Sequence, residues 1–173
     1  EQMQIIIACD HGGLALKQDL VDYFKGTAHK LEDLGAFSSA SVDYPDFAVA
    51  VAEQVAEKRA DAAILICTTG IGMCMAANRF AGVRAALCAT PEVATMARMH
   101  NNANVLTLAG TVPPERALAI VKAFFETPFS EESRHKRRIQ KLERAGRLSE
   151  VAHLAAVDPE VHAAVAGQIR QEE

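Results

Sequence analysis

The chain has 173 residues, half of them apolar and 23% charged, with a formal net charge of −4. That length suits one domain with a full hydrophobic core and is short for two. The acidic balance gives no support for nucleic-acid or acidic-membrane binding, which favour a basic face, and no apolar run approaches the roughly 20 residues of a membrane span.

Residues 4–9 (Gln-Ile-Ile-Ile-Ala-Cys) form a short β-branched run of the kind that makes a buried parallel strand. Leu16, Leu20 and Phe24 then recur every fourth residue, which predicts a helix over 13–25 with one apolar face. A second strand is expected over 29–34, ended by Gly35. Asp46 stands ahead of Phe47, Val51 and Val55 as the expected N-cap of the next helix. Residues 62–67 (Ala-Ala-Ile-Leu-Ile-Cys) are the strongest strand in the chain, followed by a glycine-bearing turn and a helix to about residue 79. A strand over 83–88, a helix over 91–100 opened by Pro91, a strand over 105–109 and a helix over 114–126 complete the alternation. Strands that alternate with helices need crossover connections, so the pattern predicts an α/β domain with a doubly wound, mostly parallel five-stranded sheet. Beyond Pro128 the composition changes. Residues 134–147 are rich in Arg and Lys, and 148–173 are Ala-rich and interrupted by Pro159, which predicts a short helical extension after a domain spanning 1–147.

In an open α/β sheet, ligands bind beyond the carboxyl ends of the strands. Cys9-Asp10-His11-Gly12-Gly13 follows the first strand, Cys67-Thr68-Thr69-Gly70-Ile71-Gly72 the third, and Thr111 the fifth. Cys67 ends a buried strand beside two hydroxyls and two glycines, so backbone N–H groups can converge on a thiolate and on a developing oxyanion. A buried, inert cysteine before an ordinary glycine turn is the bland alternative. Asp10 and His11 suit acid–base or hydrogen-bonding work, or phosphate binding through the imidazole. No second Cys/His pair with zinc spacing accompanies Cys9 and His11, so no metal is expected. Arg134 and Arg138 are four apart and share one helix face, an arrangement suited to a phosphate dianion and equally common on a solvated helix. The glycine turn lacks the Gly-Lys-Ser/Thr ending of a Walker loop and does not match GxGxxG.

Taken together, the segments 8–13 (Ala-Cys-Asp-His-Gly-Gly), 43–48 (Asp-Tyr-Pro-Asp-Phe-Ala), 66–72 (Ile-Cys-Thr-Thr-Gly-Ile-Gly), 76–79 (Ala-Ala-Asn-Arg), 100–106 (His-Asn-Asn-Ala-Asn-Val-Leu) and 134–139 (Arg-His-Lys-Arg-Arg-Ile) resemble the type B ribose-5-phosphate isomerase family, which also contains galactose-6-phosphate isomerase. They occur in that family's order. The resemblance implies a Rossmann-like three-layer sandwich working as a cytoplasmic homodimer or tetramer on a small sugar phosphate, with each site built from two subunits and no cofactor. It implies Cys67 as the base that moves a proton between carbons 2 and 1, with Thr69 and the N–H groups of Gly70, Ile71 and Gly72 holding the enediolate. His100 with Asp10 would open the sugar ring. His11, Arg134 and Arg138 would take the phosphate, and Tyr44, Thr68 and Asn101 would lie along the sugar.

The chain departs from the family at two places in this region. Thr68 stands where glycine is usual, and Thr111 where many members carry arginine. Both bear on the choice of sugar, so the same chemistry on a six-carbon or unphosphorylated sugar is the alternative. A non-catalytic sugar-phosphate sensor is a second alternative. A Cys67–Cys88 redox protein has no Cys-x-x-Cys motif behind it.

Overall fold

The structure is a computed structural model and describes residues 2–145. The chain divides into two units, one up to Ser130 and one from Glu131 onward. The first holds β1 (Gln4–Cys9), a single 3-10 turn (His11–Gly13), α1 (Leu14–Phe24), β2 (Lys30–Asp33), α2 (Tyr44–Ala56), β3 (Ala62–Cys67), α3 (Ile71–Ala77), β4 (Ala85–Leu87), α4 (Pro91–Asn101), β5 (Val105–Ala109) and α5 (Pro114–Glu126). The second holds α6 (Ser133–Ala145). The predicted extension over 148–173 lies outside the described residues.

The five strands run in the order β2-β1-β3-β5-β4, and every pairing is parallel, where the pattern had predicted a mostly parallel sheet. The register pairs Cys9 with Ile66 and Cys67 with Ala109, so the ends of β1, β3 and β5 stand side by side. From β1 the chain steps outward to β2, then returns across β1 to β3. The switch point therefore falls between β1 and β3, where a crevice opens at the carboxyl ends.

Alternation along the strands divides the core. Ile5, Ile7, Ile64, Ile66, Leu106 and Leu108 meet Leu16, Leu20, Phe24, Ile120 and Phe124 from α1 and α5 on one face. On the other, Ile6, Ala8, Leu65, Cys67 and Val105 meet Val51, Val55, Met73 and Ala77 from α2 and α3. Each such Leu, Ile or Phe contributes about 1.5–3 kcal/mol on burial. All six residues of β3 are buried, which explains the unbroken apolar run.

Some boundaries differ from the sequence expectation. The cap of α2 is Asp43, not Asp46, which falls in the first turn. Pro45 accounts for this, since its fixed φ and missing N–H suit the opening of a helix. Strand β4 is three residues long, shorter than the apolar run 83–88, and lies on the sheet edge.

Candidate active site

Cys67 is the last residue of β3 and is 4% exposed. Its Sγ accepts the Gly70 N–H at 3.1 Å, and its carbonyl accepts the Gly110 N–H at 2.7 Å. Gly70 caps α3 in the left-handed region, with φ +74°. A side chain there would be strained, and its Cβ would stand 2.6 Å from Leu87 Cδ1 and 2.8 Å from the Leu108 carbonyl carbon. The turn that aims an N–H at the thiol thus depends on glycine. Thr69 Oγ1 accepts the Ile71 N–H at 3.3 Å. Gly72 lies under the Tyr44 ring, and a Cβ added to it would come within 2.6 Å of Tyr44 Cζ.

Across the switch point, Asp10 is 5% exposed. Its N–H donates to the Ile66 carbonyl at 3.1 Å, and its Oδ1 accepts the Gly12 N–H at 2.8 Å. His11 is exposed, and its Nδ1 accepts the Val42 N–H at 3.3 Å, linking the turn to the loop before Tyr44. Gly12 is pressed between two neighbours. A methyl added to it would overlap Thr68 Oγ1, and one added to Gly110 would overlap the Gly12 carbonyl. The loops after β1, β3 and β5 therefore meet with no room for side chains at their junction. Thr111 is exposed on the turn after β5.

Residues that the sequence reading passed over frame this region. Lys17 on α1 is fully buried. Its Nζ donates to Asp33 Oδ1 and Oδ2 at 2.7 and 2.9 Å and to the Ala36 carbonyl at 2.7 Å, and it lies 4.5 Å from the centre of the Phe37 ring. This ties the loop after β2 to β1, whose Cys9 exchanges backbone hydrogen bonds with Gly35 and Ala36. A lysine one position from the Leu16–Leu20–Phe24 stripe reads as solvated, and only the pairing with Asp33 reveals it. The Cys9 thiol is pushed up by burial, with the Lys17 ammonium pulling it partly back. Burial pushes the Cys88 thiol up to about 12, with Cys74 adding to the rise. Both are protonated core thiols at neutral pH. The four cysteines are all free.

Other candidate residues stand elsewhere. Helix α4 runs back along the sheet, and Val105 pairs with Ala63, so His100 and Asn101 lie at the edge formed by the amino ends of the strands. The four residue steps from Ala63 to Cys67 span about 13 Å of strand between the two edges. The amino edge is held by polar groups. Arg98 Nη1 donates to Asn102 Oδ1 at 3.0 Å and to the Ala103 carbonyl, and Arg84 Nε to the carbonyls of Asn101 and Asn102 at 3.1 and 3.0 Å. A hollow of about 430 Å³ opens here, lined by Arg84, Arg98, Asp61, Asn104, Phe124 and Phe125 among others. In the second unit, Arg134 and Arg138 share one face of α6. Both are exposed, and Arg134 Nε pairs with Glu132 at 2.8 Å.

The structure thus brings together Cys67, Thr68, Thr69, Gly70, Ile71, Gly72, Asp10, His11 and Tyr44. It leaves His100 and Asn101 at the opposite edge and places Arg134 and Arg138 in the other unit.

A thiol, a carboxylate, an imidazole and hydroxyls at the switch point of a parallel sheet are the layout of an α/β enzyme for a small polar molecule. Comparison with known proteins makes this specific. Residues 5–142 match the ribose/galactose isomerase family. The chain is 40% identical over 138 residues to ribose-5-phosphate isomerase B of Escherichia coli, covering 79% of this chain and 92% of that one. It is 45% identical over 141 residues to a probable ribose-5-phosphate isomerase B of Mycoplasma genitalium, covering 80% and 92%. Among solved structures, ribose 5-phosphate isomerase of Thermotoga maritima superposes with a TM-score of 0.79 at 46% identity, covering 82% of this chain and 97% of that one. The Mycoplasma genitalium enzyme with bound ribulose 5-phosphate gives a TM-score of 0.80 at 42% identity, covering 84% and 97%. The chain belongs to the ribose/galactose isomerase family.

Proposed function

We propose that the chain interconverts ribose 5-phosphate and ribulose 5-phosphate through a cis-enediolate, with Cys67 as the general base. The observation that carries this is the Cys67 sulfur held by the Gly70 N–H at the switch point, with Thr69 and Asp10 on the flanking loops. In the forward direction Cys67 takes the proton from carbon 2 of the open-chain aldose and returns it to carbon 1. The proton on oxygen 2 passes to oxygen 1. One carbon is oxidised as its neighbour is reduced, so the reaction needs no organic cofactor. Removing a weakly acidic carbon-bound proton is the difficult step, and charge stabilisation beside the base matters most. Thr69 and the N–H groups of Gly70, Ile71 and Gly72 supply it.

His100 with Asp10 opens the ring, His11, Arg134 and Arg138 hold the phosphate, and Tyr44, Thr68 and Asn101 line the sugar. His100 and Asn101 reach this site from a second copy of the chain. Two observations support a homodimer. These residues lie at the edge away from their own Cys67. His100 also shares a face of α4 with the exposed Val93 and Met96, while Ile71, Met75 and Leu87 expose further apolar surface around the edge strand β4. No helix among the described residues is long and apolar enough to cross a membrane. A cytoplasmic location fits the reading on a separate ground, since the four free cysteines suit a reducing compartment.

Thr68 and Thr111 favour a second reading in which the same chemistry serves another sugar. The test is ribulose formation from ribose 5-phosphate without added metal, comparing the native chain with Cys67→Ala. Turnover that falls by at least about 100-fold in the variant supports both reaction and base. Native activity that appears only with another sugar moves the substrate. Binding without turnover across a sugar panel replaces the enzyme with a sensor.

A further inference from the structure

We infer that Gly12 and Thr68 form a size-matched pair that sets the gap between the Asp10–His11 turn and the Cys67 loop, which makes Thr68 a positioning residue for the reaction. This rests on the isomerase reading above. The Gly12 α-carbon faces Thr68. A Cβ there would overlap Thr68 Oγ1 and stand 3.1 Å from the Thr68 nitrogen and 3.2 Å from its α-carbon. The Gly12 carbonyl is blocked on its other side by Gly110, whose N–H holds the Cys67 carbonyl at 2.7 Å. Gly12 also donates the hydrogen bond that orients Asp10 Oδ1, at 2.8 Å. Gly12 thus stands between the Cys67 loop and the turn after β5, with no room for a side chain on it or on Gly110.

The Thr68 hydroxyl lies over Gly12, in the space that a side chain at position 12 would need. A methyl added at 12 has two ways out. Thr68 can swing its hydroxyl about χ1, or the two loops can separate by several tenths of an ångström. Either change moves groups beside Cys67, and misplacement of about 1 Å in a site costs about 100-fold in rate. Removing the Thr68 side chain removes the hard overlap and leaves the close approaches to the backbone nitrogen and α-carbon at 3.1 and 3.2 Å, so the two substitutions compensate each other in part.

A double-mutant cycle of Gly12→Ala and Thr68→Gly in the full chain reads this directly, with kcat and KM for ribose 5-phosphate and melting temperature measured for all four proteins. Gly12→Ala is expected to lower kcat/KM by about 10- to 100-fold, and Thr68→Gly alone by a few fold. In the Gly12→Ala background, Thr68→Gly is expected to raise kcat/KM by about 10-fold, reversing the sign of its effect. If Thr68→Gly lowers activity equally in both backgrounds, the pairing is overturned. Coupled melting temperatures with uncoupled kcat/KM overturn the positioning role. Should Gly12→Ala alone fail to fold, recovery of folding and turnover in the double variant supports the pairing, and failure of both opposes it. If the native chain turns over another sugar instead of ribose 5-phosphate, the cycle is read with that sugar; if it turns over none, the isomerase reading falls, and the pairing is then judged by coupling of the melting temperatures.

Discussion

The two edges of the sheet are built on opposite plans. At the carboxyl edge, glycine lets three loops touch backbone to backbone: a side chain at Gly12, Gly70 or Gly110 would strike a neighbour. Polar groups there serve a small space around Cys67. At the amino edge, Arg84 and Arg98 reach the carbonyls at the end of α4 and leave an open hollow. A chain that closes so tightly around its thiol has little room to move, whereas His100 stands at the edge where helix ends are capped. On the proposed reading, Cys67 and Asp10 are preformed within one chain, and His100 would serve the site of another.

Two substitutions, in order of expected effect, break or sharpen that contrast. Asp33→Ala strips the carboxylate from Lys17, whose side chain is fully buried. Leaving that ammonium unpaired costs about 3–5 kcal/mol, seen as a lower urea midpoint, and Lys17→Met in the same chain recovers part of the loss. An Asp33→Ala chain as stable as the native one removes the buried anchor from the frame of the carboxyl edge. Thr111→Arg has a smaller effect of opposite sense. It adds a cation on the turn after β5 and is expected to lower KM for ribose 5-phosphate by about fivefold, equivalent to ~1 kcal/mol. Unchanged or weaker binding shows that Thr111 does not face the phosphate.

The contrast was partly legible in the sequence. The strand at 62–67 is buried on both faces, so its apolar run could be read without ambiguity, and Cys67 at its end follows from the same run. Placement of His100 was also within reach, because a helix that returns to a parallel strand must end at the amino edge. Lys17 was not legible. Its charge is satisfied by Asp33 and by the Ala36 carbonyl, partners 16 and 19 residues away that only the folded sheet brings near. The contact of Gly12 with Thr68 was hidden for the same reason, since it joins turns from two different strands. The cap of α2 was misread at Asp46 because the apolar spacing begins at Phe47, while Pro45 opens the helix earlier.

The claim that two copies complete one site is tested most directly by mixing two defective chains. Cys67→Ala and His100→Gln are each expected to be nearly inactive alone. Co-expressed at equal levels they form mixed dimers in which one of the two sites holds both intact residues, so about one quarter of native activity returns. No recovery, with mixed dimers shown to form, would contradict the shared site and return both halves of the reaction to a single chain.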